Sequence, residues 1–151
     1  MARELNPSIN YTKTIISASV EETYDLSKAV AKGLERNSIV AFYGDLGAGK
    51  TTFIKGIVSS LGQIPKEEIT SPTFIYMNSY EADIPVYHFD LYKIQATDQF
   101  IEMGLQEYFT AGGICLIEWA DKIQSLLPKN CYQIRMVHLE DNKRQITISL
   151  P

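Results

Sequence analysis

The chain is short of arginine. Its 151 residues contain four, Arg3, Arg36, Arg135 and Arg144, which argues against a site built from several guanidinium clamps. It also lacks a basic excess: 18 acidic against 14 basic side chains leave a formal net charge of −4. A surface that held RNA or DNA by itself would carry the opposite balance, so no strong direct nucleic-acid binding is expected. Cysteine is equally scarce. Cys115 and Cys131 are too few for a disulfide framework, and Cys115 lies in an apolar run, so both read as buried thiols in a reducing cytosol. No stretch approaches the roughly 20 apolar residues of a membrane span, and residues 1–7 lack the apolar core of a signal peptide. These absences lead us to expect a cytoplasmic protein with no membrane contact. Internal repeats, low-complexity tracts and long charged runs are missing too. What is present, 45% hydrophobic and 21% charged residues, is the composition of a globular chain. The length suits one domain, with residues 1–10 as a loose N-terminal segment.

Two short runs are apolar throughout, IVAFY at residues 39–43 and ICLI at 114–117. Strands buried on both faces read this way, because neither face needs polar residues. Residues 11–17 (YTKTIIS) have the β-branched content of a strand, and Ser19 and Glu22 have the spacing of a capping box opening a helix to about Arg36. A second helix is expected after Thr52, with Phe53, Ile54, Ile57, Val58 and Leu61 on its apolar face and Gly62 as its stop. Residues 74–80 and 85–92 read as two strands joined by a turn near 81–83. Residues 97–109 read as a helix interrupted at Gly104, and 120–127 as a short helix. Residues 132–139 and 144–150 alternate in polarity around Glu140-Asp141-Asn142-Lys143, which predicts a hairpin at a sheet edge. Buried parallel strands with antiparallel pieces make an α/β domain with a mixed sheet.

Between the first apolar run and the second helix lies Gly44-Asp45-Leu46-Gly47-Ala48-Gly49-Lys50-Thr51-Thr52, which fits G-x-x-x-x-G-K-[ST] at every position. Glycines let successive backbone N–H groups turn inward onto phosphate oxygens. The following helix adds its free N-terminal donors and the positive end of its dipole. Lys50 supplies a mobile charge for the β- and γ-phosphates, and the Thr51 hydroxyl reaches Mg²⁺. The pattern points to binding of a nucleoside triphosphate.

Such a loop needs an acid near the metal, usually at the C-terminal end of a neighbouring buried strand. Glu118, directly after Ile114-Cys115-Leu116-Ile117, has that placement. Asp90, closing Val86-Tyr87-His88-Phe89-Asp90, has it as well, and the two could divide metal binding and water orientation between them. Ser71-Pro72-Thr73 reads either as an ordinary turn or as a loop crossing the γ-phosphate. His88 reads as structural, and Trp119 as either core or a neighbour of the nucleotide. The methionines and tyrosines show no spacing beyond ordinary packing.

Among nucleotide-binding classes, GTPases read guanine through N-K-x-D, which is missing, and kinases close an arginine-bearing lid for which there is little material. Motor ATPases and transporters need longer chains. A minimal ATPase acting on a partner remains. A nucleotide-dependent interaction switch and a small-molecule kinase are the rival readings.

The blocks GDLGAGKTTFIKGI (44–57), SPTF (71–74), YHFDLYK (87–93), GLQEYF (104–109) and LIEWADKI (116–123) resemble, in order and spacing, the TsaE (YjeE) family, the bacterial ATPase subunit of tRNA threonylcarbamoyladenosine synthesis. The resemblance covers about residues 11–150. It implies a P-loop NTPase fold, with a mostly parallel sheet, helices on both faces and antiparallel edge strands. It implies ATP and Mg²⁺ as ligands, and slow hydrolysis made effective by the partner subunits TsaB and TsaD, which modify the adenosine beside the anticodon. Carried onto this chain, Asp45, Leu46, Gly47, Ala48, Gly49, Lys50, Thr51 and Thr52 cradle the phosphates, with Thr51 and Glu118 serving the metal. Asp90 acts in hydrolysis, Thr73 belongs to a switch-like loop, Trp119 flanks the site, and Thr23 lies near the adenine. Lys93 departs from the family, which more often has arginine there; the charge is kept and the planar fork is lost.

Overall fold

The computed structural model describes residues 12–151. The segment expected to be loose, residues 1–10, lies outside the described residues, as does Tyr11. The elements are β1 (Thr12–Ser17), α1 (Val20–Ala31), β2 (Ile39–Tyr43), α2 (Lys50–Gly62), β3 (Met77–Tyr80), β4 (Val86–Asp90), α3 (Thr97–Glu102), β5 (Ile114–Glu118), β6 (Tyr132–His138) and β7 (Arg144–Ser149). Three 3-10 segments, Lys66–Glu68, Leu105–Thr110 and Ala120–Leu126, complete the set.

Among the described residues, seven strands form one sheet in the order β1-β7-β6-β2-β5-β4-β3. β2 pairs in parallel with β5 and β6, and β4 pairs in parallel with β5. β3 on β4, β7 on β6 and β1 on β7 are antiparallel. The two apolar runs are therefore neighbours at the centre of the sheet, and every residue of β2 and β5 is buried. Alternation still operates within them. Val40, Phe42, Ile114 and Leu116 face the core under α1 and α2, whereas Ile39, Ala41, Tyr43, Cys115 and Ile117 face the core shared with α3 and the later 3-10 segments. With apolar cover on both sides, the sequence shows no polar phase.

α1 begins as its capping box predicts: Ser19 Oγ accepts from Glu22 N at 3.1 Å, and Glu22 Oε2 accepts in return from Ala18 N at 2.6 Å. It ends at Ala31, short of Arg36. Other boundaries move for local reasons. α2 runs through Gly62, and Gln63 takes the left-handed conformation, with φ 53°. A Cβ on Gly62 would lie 3.2 Å from the Glu81 carbonyl oxygen, so the glycine serves close approach instead of the stop. The strand expected from residue 74 starts only at Met77. Tyr76 N donates to Pro72 O at 2.7 Å and Tyr76 has φ 66°, so 73–76 close into a turn that leaves Phe74 80% exposed. The helix expected at 97–109 is divided at Gly104, φ 74°, into α3 and a 3-10 segment. Residues 120–126 are 3-10 as well, broken at Ile123.

The hairpin exists but is not at the sheet edge. β6 lies inside, against β2, and β7 is covered by β1, which forms the edge. Its alternating polarity has another origin: Ile134, Met136, Ile146 and Ile148 face the α1–α2 core, and none of the β6 and β7 residues belongs to the core on the opposite face. One-sided cover, not edge position, produces the pattern.

Candidate functional site

β2, β4 and β5 all end at the same rim of the sheet, and each delivers a functional group there. From β2 the chain turns into the glycine loop. Gly44, Gly47 and Gly49 have φ of 148°, 78° and 103°, in the region that disfavours side chains. At Gly44 a Cβ would also meet the Met136 carbonyl oxygen at 2.5 Å. Gly49 then caps α2 with no side-chain hydrogen bond. The first N–H groups of α2 are therefore not capped by a side chain, as an anion site at a helix start requires.

β5 is inserted between β2 and β4, and the register places Asp90 directly beside Glu118. Both carboxylates sit at strand C-termini, where ligands of open α/β sheets bind. Both are nearly buried, and hydroxyl groups hold them. Glu118 Oε1 accepts from Thr51 Oγ1 at 2.8 Å, and its Oε2 accepts from Ser71 Oγ at 3.0 Å. His88 Nε2 lies 2.8 Å from the same Oε2. Asp90 Oδ2 accepts from Thr73 Oγ1 at 3.0 Å and from Ser71 Oγ, and its Oδ1 accepts from Tyr92 N at 3.0 Å. The loop 71–73 is thereby tied to both acids.

Lys50 is buried at the start of α2. Its Nζ donates to Gly44 O and lies 3.7 Å from the centroid of the Trp119 ring, a cation–π contact. Burial pushes the Lys50 pKa below its ordinary 10.5, while the Glu118 and Asp90 carboxylates act against that shift. Trp119 follows Glu118 in the left-handed conformation, φ 58°, and Tyr92 packs on its ring at 5.0 Å.

These groups line a cavity of about 450 Å³. Of the residues expected to bind or act, Leu46, Gly47, Ala48, Gly49, Lys50, Thr51, Thr52, Thr73, Asp90, Glu118 and Trp119 line it together. Asp45 does not; its side chain is exposed and only its carbonyl oxygen faces Lys50, at 3.5 Å. Thr23 lines a second cavity of about 360 Å³ that shares Gly49, Thr52 and Arg144 with the first, and its hydroxyl pairs with Ser17 Oγ at 2.7 Å. Lys93 lies 4.1 Å over the exposed ring of Phe74, a stacking arrangement that uses charge without a fork.

Ser71, read in the sequence as part of a turn or of a loop crossing the γ-phosphate, bridges the two acids. Two wall residues escaped the sequence reading. Tyr92 is one of nine tyrosines, and its adjacency to Trp119 is tertiary. Arg144 opens β7 and stands where the two cavities meet; nothing near it in sequence marks it. Scarcity of arginine was the one available signal.

The chain is similar to known proteins over most of its length. A family model described as "Threonylcarbamoyl adenosine biosynthesis protein TsaE" matches residues 17–146. The chain is 37% identical over 134 residues to a tRNA threonylcarbamoyladenosine biosynthesis protein TsaE of Treponema pallidum, covering 89% of this chain and 98% of that protein. It is 38% identical over 130 residues to the protein of the same name from Bacillus subtilis, covering 85% and 80%. Its structure superimposes on the crystal structure of Bacillus subtilis YdiB with a TM-score of 0.76 and 33% identity, covering 94% of this chain and 87% of that one.

Proposed function

The chain belongs to the TsaE family of tRNA threonylcarbamoyladenosine biosynthesis, and from that premise we propose that it binds and hydrolyses ATP with Mg²⁺. We propose further that it does so in complex with TsaB and TsaD in the cytoplasm, supporting their repeated turnover. The observation that carries the ATPase reading is the 2.8 Å bond between Thr51 and Glu118. It joins the phosphate loop to a buried acid from another strand, and those two oxygens are the pair that a Mg²⁺ ion on bound phosphates needs.

The donor set fits that ion. Mg²⁺ takes oxygen ligands and is commonly held by one or two carboxylates together with substrate phosphates. Bound Mg²⁺ neutralises charge on the phosphate oxygens. The chain's own groups do the rest. Lys50 leaves the Gly44 carbonyl and the Trp119 ring to meet the phosphates, and the N–H groups at the start of α2 orient them. Glu118 is committed to Thr51, so Asp90, facing the same cavity and held by Ser71, Thr73 and the Tyr92 N–H, orients the attacking water. The Thr23 cavity, which shares Gly49, Thr52 and Arg144 in its lining with the first, receives the adenosine end.

The test is phosphate release with and without TsaB and TsaD, paired with Mg-ATP titration calorimetry. Lys50→Ala should lower hydrolysis about 100-fold or more and weaken binding. A parental rate in that variant, with partners present, would remove the assignment. Glu118→Ala separates hydrolysis from a nucleotide switch: a switch would keep supporting tRNA modification, and an obligate ATPase would lose it.

A further inference from the structure

His88 has no exposed surface and takes no part in the phosphate loop. It stands on β4 two residues before Asp90 and beside Leu116 in register. Val86, on the same face of that strand, and Leu116 both belong to the apolar core under α2. In this setting Nδ1 finds no hydrogen-bond partner among the described residues. A buried polar atom left unpaired costs free energy that an aliphatic side chain of similar volume would not cost. What the imidazole supplies in return is one bond, from Nε2 to Glu118 Oε2 at 2.8 Å. A carboxylate oxygen only accepts, so Nε2 carries the proton of that bond.

We propose that His88 is a positioning residue. Its N–H pins Glu118 Oε2 from inside the sheet, so that Oε1 is held towards Thr51 and the metal-binding pair is set before nucleotide arrives. A glutamate side chain has three torsions, and the Thr51 and Ser71 hydroxyls that also hold it come from a helix start and a loop that border the cavity. Among the described residues, His88 is the one side-chain partner of Glu118 that belongs to a strand of the sheet. Groups that orient a metal ligand in this way typically change metal affinity or activity by about 10- to 100-fold when removed.

The inference rests on the Mg²⁺-dependent ATPase reading, and its test separates the two. The chain has two histidines, and the other, His138, is exposed. In ¹⁵N-histidine NMR of the chain without metal or nucleotide, His88 should therefore appear as an Nε2–H tautomer with a slowly exchanging proton. Glu118→Ala should abolish that slow exchange. In Mg²⁺ titrations, His88→Leu should raise the concentration for half-maximal hydrolysis about 10-fold or more, and leave ATP binding in EDTA unchanged. Glutamine places an amide N–H where Nε2 stood, whereas asparagine reaches only to the Nδ1 position. His88→Gln should therefore restore the parental Mg²⁺ dependence and His88→Asn should not, a comparison that decides the matter even if the leucine variant fails to fold. Equal behaviour of the glutamine and asparagine variants, or a parental Mg²⁺ response in folded His88→Leu, overturns the inference. A parental chain with no Mg²⁺-dependent ATP binding overturns the ATPase reading instead, and the metal-free tautomer still reports on the bond.

Discussion

Lys50 in this structure is held by its own protein: a carbonyl on one side, the indole of Trp119 on the other. On the proposed ATPase reading, both contacts are exchanged for phosphate contacts. Trp119 is the only tryptophan, so its emission reports on the exchange without labelling. Saturating Mg-ATP should shift that emission, and Lys50→Ala should show no nucleotide-dependent shift. An unchanged parental spectrum at saturation would count against the movement. At this scale the residues legible in sequence were those whose chemistry is rare and spaced: the lysine after glycine, the hydroxyl after lysine, the acid after an apolar run. Tyr92 and Arg144 were not, because such side chains become site residues only through their neighbours.

The packing of α1 against α2 makes a prediction that runs against local propensity. In an isolated helix, alanine is favoured over glycine by about 1 kcal/mol. At Gly56, however, an added Cβ would lie 2.9 Å from Ser27 Cβ and 3.2 Å from the Tyr24 ring. Gly56→Ala should therefore destabilise the chain by about 1–3 kcal/mol, as overpacking does, and urea denaturation reads the sign directly; a stabilised variant would show that the helices are not this close. The elements themselves were readable where one physical rule governs them. A capping box announces a helix start, and an apolar run of five announces a buried strand. The 73–76 turn was not readable, because Phe74, Ile75 and Tyr76 suit a strand by residue type. The bond from Tyr76 N to Pro72 O and a positive φ override that preference.

The whole molecule buries several groups that would lose protons in alkali. Burial pushes the Cys115 thiol from its ordinary 9.0 up to about 12, and it raises Cys131, Tyr43 and Tyr132 as well. Between pH 9 and 12 the folded chain keeps the Cys115 proton that the unfolded chain has released. Stability from this source is therefore complete below pH 9 and declines as pH rises through that window. Lys50 has the opposite sign, since its folded pKa is lowered, so its cost to folding fades as pH rises towards 10.5. The single lysine opposes four acidic groups. The urea midpoint should fall from pH 8 to pH 10.5, and Cys115→Val should flatten the fall. A midpoint that rose over this range would contradict the burial described.

The sequence by itself determined the glycine loop, the two apolar strands, the acid that ends the second of them, and the family. The first three depend on residues close together in the chain, where spacing sets geometry, and the family on the order and spacing of five such local blocks. Only the tertiary structure decided that β5 lies between β2 and β4, the strand order that brings Glu118, the acid the family resemblance assigns beside Thr51, against it. It also decided that loop 71–73 binds both carboxylates, that the hairpin is interior, and that Arg144 reaches the cavity rim. These are matters of strand order and face coverage. Strand order comes from how the long connections cross the sheet, and face coverage from which helices pack where; neither leaves a local trace in the residues concerned.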